Sequence, residues 1–161
     1  MARGDNEIRV SLSVLDRLID LEPRETREAP KSRSTSLREL KASVRRDLEW
    51  LLNSRNYIDI REIELEETKS SVAVYGLPDI TGLSAQNPSE QRRLTKSLEH
   101  AIRVFEPRFL NVHITTEPPS ETERSLRFRI EAQLDVDPAP EPVVFDTVLQ
   151  MGSGDFAVNE K

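Results

Sequence analysis

Carboxylates are the most plentiful candidates for catalytic side chains in this sequence. Glu106 and Asp79 are the pair we consider for a glycoside hydrolase, which uses two carboxyl groups. The acid of such a pair requires an apolar or like-charged setting that keeps its proton in place. Arg108 lies two residues from Glu106 instead, and a nearby guanidinium favours an ionised carboxylate. We therefore interpret Glu106 and Arg108 as a structural ion pair at a helix-to-strand corner.

Other common signatures of catalysis are absent from the sequence. Its two histidines, His100 and His113, have no carboxylate at a spacing typical of metal ligands, and we expect both to face solvent. The five glycines form no phosphate-binding loop and no dinucleotide motif, and a nucleophile elbow is missing. The sequence predicts no catalytic residue, no cofactor and no metal.

Composition and charge set further limits. The chain has 161 residues, of which 36% are hydrophobic, enough for one domain with a modest core. It carries 23 Lys and Arg against 29 Asp and Glu, a net charge of −6 that disfavours nucleic acid as a partner. The absence of cysteine excludes disulfides. No apolar run approaches the roughly 20 residues of a membrane span, and Met1 to Val10 is too polar for a signal peptide, so we expect a cytoplasmic protein.

The N-terminal third of the sequence predicts a short helix that is tethered rather than continuous with the rest. Ser11 to Leu21 has helical periodicity, with one apolar face formed by Leu12, Leu15, Leu18 and Ile19. A helix this short is marginal by itself and must lie against its own domain or a partner. The charged, serine-rich stretch that follows contains Pro23 and Pro30 and predicts a linker up to residue 35.

Two long helices are predicted next. Ser36-Leu37-Arg38-Glu39 has the capping-box pattern and predicts a helix that continues to Asn53, with Trp50 widening its apolar stripe. Asn87 and Pro88 supply a cap and a first-turn proline for the second helix, which Pro107 ends. Between the helices the sequence predicts an ordered, packed loop, and its residues Tyr75 and Leu77 are expected to belong to the core of the domain.

The last third of the sequence changes to the alternation typical of strands. Three strands are predicted, at 110–115, 126–136 and 143–150, and the glycine-containing end reads as a loose polar tail. Helices followed by strands indicate an α+β fold, with two long helices packed on a small three-stranded antiparallel sheet and the short tethered helix before them. The predicted boundaries are 1–35 for helix and linker, 36–151 for the domain and 152–161 for the tail.

Several stretches of the sequence occur together in one known family. These are Ser13-Val14-Leu15-Asp16-Arg17-Leu18, then Arg46-Asp47-Leu48-Glu49-Trp50-Leu51-Leu52-Asn53-Ser54-Arg55, then Ser71-Val72 with Tyr75-Gly76-Leu77-Pro78-Asp79, and Phe105-Glu106-Pro107-Arg108-Phe109. In this order the chain resembles the TssE family of type VI secretion, which is similar to a wedge protein of contractile phage baseplates.

The resemblance implies a structural baseplate subunit rather than an enzyme. It would contact other wedge subunits, of the TssF, TssG and TssK type, and would offer a docking surface that nucleates the sheath proteins of the TssB and TssC type, at a baseplate docked on the inner membrane complex. Glu106, Pro107 and Arg108 match the family's Glu-Pro-Arg element, which is implied to hold the wedge neighbours. Leu15, Leu18 and Ile19 are proposed as a hook for wedge partners, against the alternative that they cover the domain's own core.

Two other functions stay open from the sequence alone. One is a cell-wall hydrolase, because the family has carried a lysozyme-like label and the chain is rich in acids. The other is a small cytosolic adaptor unrelated to secretion, which would use the tethered helix as a ligand.

Overall fold

The computed structural model describes residues 10, 13–19, 32–58, 64–80, 82–84, 86–117 and 125–161. Helices come first and strands last, as the sequence predicts, so the α+β class is confirmed. Within these residues there are three α-helices: α1 (Val14–Leu18), α2 (Arg33–Asn53) and α3 (Pro88–Phe105). None of the described helices is both long enough and apolar enough to cross a membrane.

The ends of the two long helices follow from local capping. In α3 the Asn87 side chain accepts a hydrogen bond from the Ser89 amide at 3.0 Å and Pro88 occupies the first turn, which confirms the predicted start. In α2 the predicted cap at Ser36 is wrong, because the backbone amide of Ser36 already bonds the Ser32 carbonyl at 3.0 Å. Ser32 is the cap, and it accepts from the Thr35 amide at 3.2 Å. The helix therefore begins about one turn earlier, inside the stretch expected to be linker.

The sheet is an antiparallel meander of four strands, not the three that were predicted. The strands β1 (Phe109–Thr116), β2 (Ser125–Leu134), β3 (Glu141–Gln150) and β4 (Phe156–Glu160) are hydrogen-bonded in sequence order. The fourth strand comes from the segment expected to be a loose tail. After a turn, Phe156 and Val158 alternate into the core while their neighbours face solvent, and this short alternation was too brief to stand out from a polar sequence.

The core lies between one face of the sheet and the two long helices. Helix α2 packs mainly against β4 and helix α3 against β1. The largest fully buried side chains come from all of these layers: Leu48, Leu52, Leu98, Ile102, Phe128, Ile130 and Phe145. Leu77 is buried as predicted and Tyr75 is half-buried, with its ring edge-on to Phe105 at 5.2 Å between centroids.

Hydrogen bonds join the residues that follow α2 to the loop before α3. The Leu77 amide donates to the Ser54 carbonyl and the Asn56 amide donates to the Leu77 carbonyl, each at 2.9 Å. The Asn56 side-chain amide adds bonds to the Val74 and Gly76 carbonyls at 3.1 and 3.0 Å. Four hydrogen bonds thus fix the approach of the loop to the helix end, which positions the wall of a groove along α3.

Candidate functional site

A sharp corner joins α3 to β1 and carries the Glu-Pro-Arg stretch. Glu106 is the residue after the helix, Pro107 and Arg108 form the turn, and the Phe109 amide bonds back to the Glu106 carbonyl at 3.1 Å. Pro107 has no amide hydrogen and cannot continue the helix, so the direction change is built into the sequence. The corner buries Glu106, whose exposed fraction is 4%, and leaves Pro107 exposed.

Arg108 folds back onto Glu106 and onto α2. Its Nε donates to Glu106 Oε1 at 2.5 Å and its Nη2 donates to Glu106 Oε2, a two-bond fork. Nη2 also donates to Asp47 Oδ2 at 2.7 Å, and Nη1 reaches Ser43 Oγ at 3.4 Å. The ion pair expected between Glu106 and Arg108 is therefore present, and it is extended to side chains far away in the sequence.

The surroundings of Arg108 favour the charged form of its guanidinium. Burial works to lower the pKa of the Arg108 guanidinium, but the hydrogen bonds and charges of Glu106 and Asp47 outweigh it and raise that pKa above its ordinary value. Arg108 therefore stays protonated over the whole accessible pH range, and its positive charge compensates the buried carboxylate of Glu106.

A second arginine continues the network to α1. Arg46 donates to Asp47 Oδ1 at 2.7 Å and to Asp16 Oδ1 at 2.8 Å, and Ser43 Oγ donates to Asp16 Oδ2 at 2.5 Å. Burial tends to raise the pKa of Asp16, but the hydrogen bonds from Ser13, Ser43 and Arg46 outweigh it and hold that pKa below its usual value. We call the connected set the corner cluster: Asp16, Ser43, Arg46, Asp47, Glu106 and Arg108.

Helix α1 turns its polar side to the domain and its apolar side to solvent. Asp16 faces α2, whereas Val14, Leu15, Leu18 and Ile19 are all exposed, Leu18 by 77%. Trp50, which widens the apolar stripe of α2 in the sequence, does not enter the core: it is 54% exposed, and its ring centroid lies 5.0 Å from the Arg46 guanidinium, one turn along the same helix face. The outward apolar residues of α1 and Trp50 are together called the α1 surface.

The two edges of the sheet differ. At the β4 edge, Asn53 of α2 accepts from the Phe156 amide at 2.8 Å and donates to the Phe156 carbonyl at 2.9 Å, as a neighbouring strand would. Arg45 adds a bond to the Val158 carbonyl at 3.2 Å. Helix α2 therefore closes this edge.

The β1 edge is more open. Glu117 donates to the Arg127 carbonyl at 2.9 Å, and the antiparallel alternation then points the peptide groups of Ile114 and Thr116 away from β2. Arg103 donates a long hydrogen bond of 3.5 Å to the Val112 carbonyl. Among the described residues, no side chain bonds the outward peptide groups of Ile114 and Thr116, and the one side-chain bond of these two residues is between the Thr116 and Thr95 hydroxyls at 3.1 Å. Asn111, with φ of 52°, lies at a bulge that shifts the register near the start of this strand.

The arrangement brings together some predicted residues and separates others. Glu106 and Arg108 meet as predicted, whereas Asp79 lies on an exposed loop wall and Glu106 is buried at the corner. His100 and His113 are exposed, as expected. Sequence reasoning missed Ser43, Arg46 and Asp47 as partners of Arg108 and Asp16. Their spacing of three and four residues on one helix face was the available signal.

No group of three or more His, Asp or Glu in the described residues could hold a metal ion. In the corner cluster, each charged side chain instead bonds an oppositely charged side chain, and helix α1 beside it exposes apolar residues to solvent. Such a combination is typical of a protein that binds other chains, since charged pairs fix geometry and exposed apolar residues supply contact area.

The comparison with protein families agrees. The family model described as "Baseplate wedge protein gp25" matches residues 38–139. The chain belongs to this family, which includes TssE. No curated protein and no solved structure matches the chain.

Membership of the family decides the class of function. The family is a structural baseplate family and not an enzyme family, so the chain is a baseplate wedge-type structural protein and the cell-wall hydrolase alternative is set aside. Its function implies contact with other baseplate components.

Proposed function

We propose that this chain is the TssE-type wedge subunit of a type VI secretion baseplate. It joins wedge proteins of the TssF, TssG and TssK type to sheath proteins of the TssB and TssC type, at a baseplate docked on the inner membrane complex. The family match and the four ordered sequence stretches support this machine over an unrelated cytosolic adaptor. The observation that carries the proposal is the polarity of α1, which presents its apolar side outward.

Wedge partners bind the α1 surface and the exposed part of the corner. Leu15, Leu18 and Ile19 form the hook, and Asp16 fixes its orientation through Ser43 and Arg46. Because α1 is already held in place, a partner that covers it does not have to order it, and less of the binding energy is lost to conformational entropy.

At the corner itself, Pro107 is the accessible residue of the Glu-Pro-Arg element, and Arg108 lines a small cavity of about 170 Å³ with Val10, Leu40 and Leu134. Glu106 acts from within, since it holds Arg108 in position. The element therefore offers a shaped surface to wedge neighbours, with Arg108 mainly committed to its own chain.

The first expected result concerns the hook. Leu18→Asp should reduce co-purification of TssF- and TssG-type proteins by about tenfold or more, because a charge cannot be buried in an apolar contact without a partner. The fold should be retained, since Leu18 is 77% exposed. The readout is quantitative mass spectrometry of proteins recovered with the tagged chain from cells that express the secretion machinery.

Leu65→Asp is the matched control, because Leu65 is also an exposed leucine, at 68%, and lies outside the α1 surface. It should recover normal amounts of wedge proteins. Equal recovery with Leu18→Asp and the unchanged chain would refute the hook, and recovery of no baseplate protein even with the unchanged chain would refute the wedge assignment.

The sheath is proposed to dock by adding a strand to β1. An added strand bonds the outward peptide groups of Ile114 and Thr116, each bond contributing a net of roughly 0.5 to 1.5 kcal/mol. The opposite edge is a poorer acceptor because Asn53 and Arg45 already occupy it. Ring symmetry then multiplies a weak single contact.

The second expected result compares prolines at the two edges. Thr116→Pro removes an outward amide at the β1 edge, and with it the hydroxyl that bonds Thr95, and should reduce the number of assembled sheaths by about tenfold, while ladder bonds to β2 remain. Glu160→Pro removes an outward amide at the β4 edge and should leave sheath assembly unchanged. The variants are expressed in cells from which the native gene for this chain is deleted, and assembled sheaths are counted by fluorescence microscopy. The edge assignment fails if Glu160→Pro is the more damaging variant.

A further inference from the structure

A groove of about 810 Å³ runs along α3. One wall is α3, from Ser89 to Phe105, and the other combines residues 56–58, just after α2, with the loop before α3. The floor is apolar, formed by Val74, Ala101 and Phe105. We call this the α3 groove. Its volume is within the range of specific ligand sites.

The α3 rim of the groove is basic. Arg92, Arg93 and Lys96 line it together with His100, and all four side chains are exposed. Arg92, Lys96 and His100 follow one another at intervals of four residues, about 6 Å apart along the helix. Within the described part of the chain, none of these groups has an ion-pair partner. Three unpaired cations on one rim, Arg92, Arg93 and Lys96, stand out in a chain whose net charge is −6.

The opposite rim is mainly apolar, and its one carboxylate, that of Asp79, lies opposite the three cations of the α3 rim. Tyr57 is 91% exposed and Ile58 is also exposed, next to the buried side chain of Val74. Tyrosine at a rim is typical of contact surfaces, because its ring gives a large contact area at low entropic cost. A segment that fits the groove therefore needs carboxylates on one side and an apolar residue on the other.

We propose that the α3 groove binds an acidic segment of another protein chain that carries at least one large apolar side chain. The carboxylates pair with Arg92, Arg93 and Lys96, and the apolar side chain lies on Val74, Ala101 and Phe105 beside Tyr57. Charge complementarity selects an acidic occupant. The apolar floor distinguishes the α3 groove from an ordinary basic helix face. A flat membrane surface would meet the rim and would not enter the groove.

The test uses the purified full chain and a short synthetic peptide of alternating glutamate and leucine with a central phenylalanine, labelled with a fluorophore. A matched peptide has lysine in place of glutamate. The acidic peptide should bind with an affinity that weakens as salt rises, and the lysine peptide should bind at least tenfold more weakly. Backbone amide shifts in NMR spectra should map to α3 and to residues 56–58.

Charge reversal supplies the specific control. Arg92→Glu should weaken the acidic peptide about tenfold, whereas Arg38→Glu, the same change at an exposed arginine of α2, should leave affinity nearly unchanged. Tyr57→Ser should also weaken binding, and because Tyr57 is 91% exposed the variant should keep its fold.

Three outcomes overturn the proposal: equal binding of both peptides, equal effects of Arg92→Glu and Arg38→Glu, or tighter binding to vesicles rich in phosphatidylserine than to the peptide. Because the binding is measured on the isolated chain, these results do not depend on the secretion machinery. A failure here leaves the hook and the sheet edge untouched.

Discussion

Arg108→Ala should lower the free energy of unfolding by about 2 to 4 kcal/mol. The substitution leaves Glu106 buried with its carboxylate uncompensated, since both oxygens of that group bond the Arg108 guanidinium. Removing one member of a buried ion pair is strongly destabilising, and the partial exposure of Arg108 moderates the effect. Asp47 loses less, because Arg46 still bonds it at 2.7 Å. Urea denaturation followed by circular dichroism measures the change.

Arg129 provides the matched control for Arg108. It also bridges two carboxylates, Asp146 at 3.0 Å and Glu117 at 3.2 Å, but on the exposed face of the sheet. Arg129→Ala should therefore destabilise the chain far less than Arg108→Ala. Adding Glu106→Gln to Arg108→Ala should recover part of the loss, because the buried charge is then removed. Similar losses for both arginine variants would contradict the role of burial.

Gly76→Ala should lower the free energy of unfolding by about 3 kcal/mol. Gly76 has φ of +105°, a backbone conformation that side chains rarely adopt. A Cβ atom at this position would also lie 2.5 Å from the Ser54 carbonyl oxygen, which is fixed by its hydrogen bond to the Leu77 amide. The loop would have to leave the end of α2, and the wall of the α3 groove with it. Thermal and urea denaturation would both show the loss.

Two other glycines separate backbone strain from collision. Gly82 has φ of +84° with open space around its Cβ position, so Gly82→Ala should cost about 1 kcal/mol from strain alone. Gly152 has open space and no such φ, and Gly152→Ala should be close to neutral. If Gly76→Ala is no worse than Gly82→Ala, the close approach to Ser54 is not what requires glycine there.

Local signals made most of the fold predictable from the sequence. The bounds of α3 follow from Asn87, Pro88 and Pro107, because caps and prolines act within a turn. The first three strands follow from alternation that extends over six or more residues. The fourth strand was missed because Phe156 and Val158 are its only buried residues, and their burial depends on pairing with β3.

The site was predictable only where its parts are neighbours in sequence. Glu106 and Arg108 are two residues apart, so their pairing could be expected. Arg108 and Asp47 are 61 residues apart, and Asp16 and Arg46 are 30 apart. Such contacts depend on how α2 packs against the corner, which periodicity does not specify. For the same reason the apolar stripe of α1 was visible, but not the direction in which it faces.

The attachment of α1 has a mechanical consequence for a baseplate wedge protein. A pull on this helix loads two bonds of Asp16 in parallel, one to Ser43 and one to Arg46, and both must rupture before the helix detaches. Arg46 then carries tension through Asp47 to Arg108, at the junction of α3 and the sheet. Among the described residues, the five-residue helix α1 is thus linked through α2 to the junction of α3 and the sheet, so a pull on it is passed on to both.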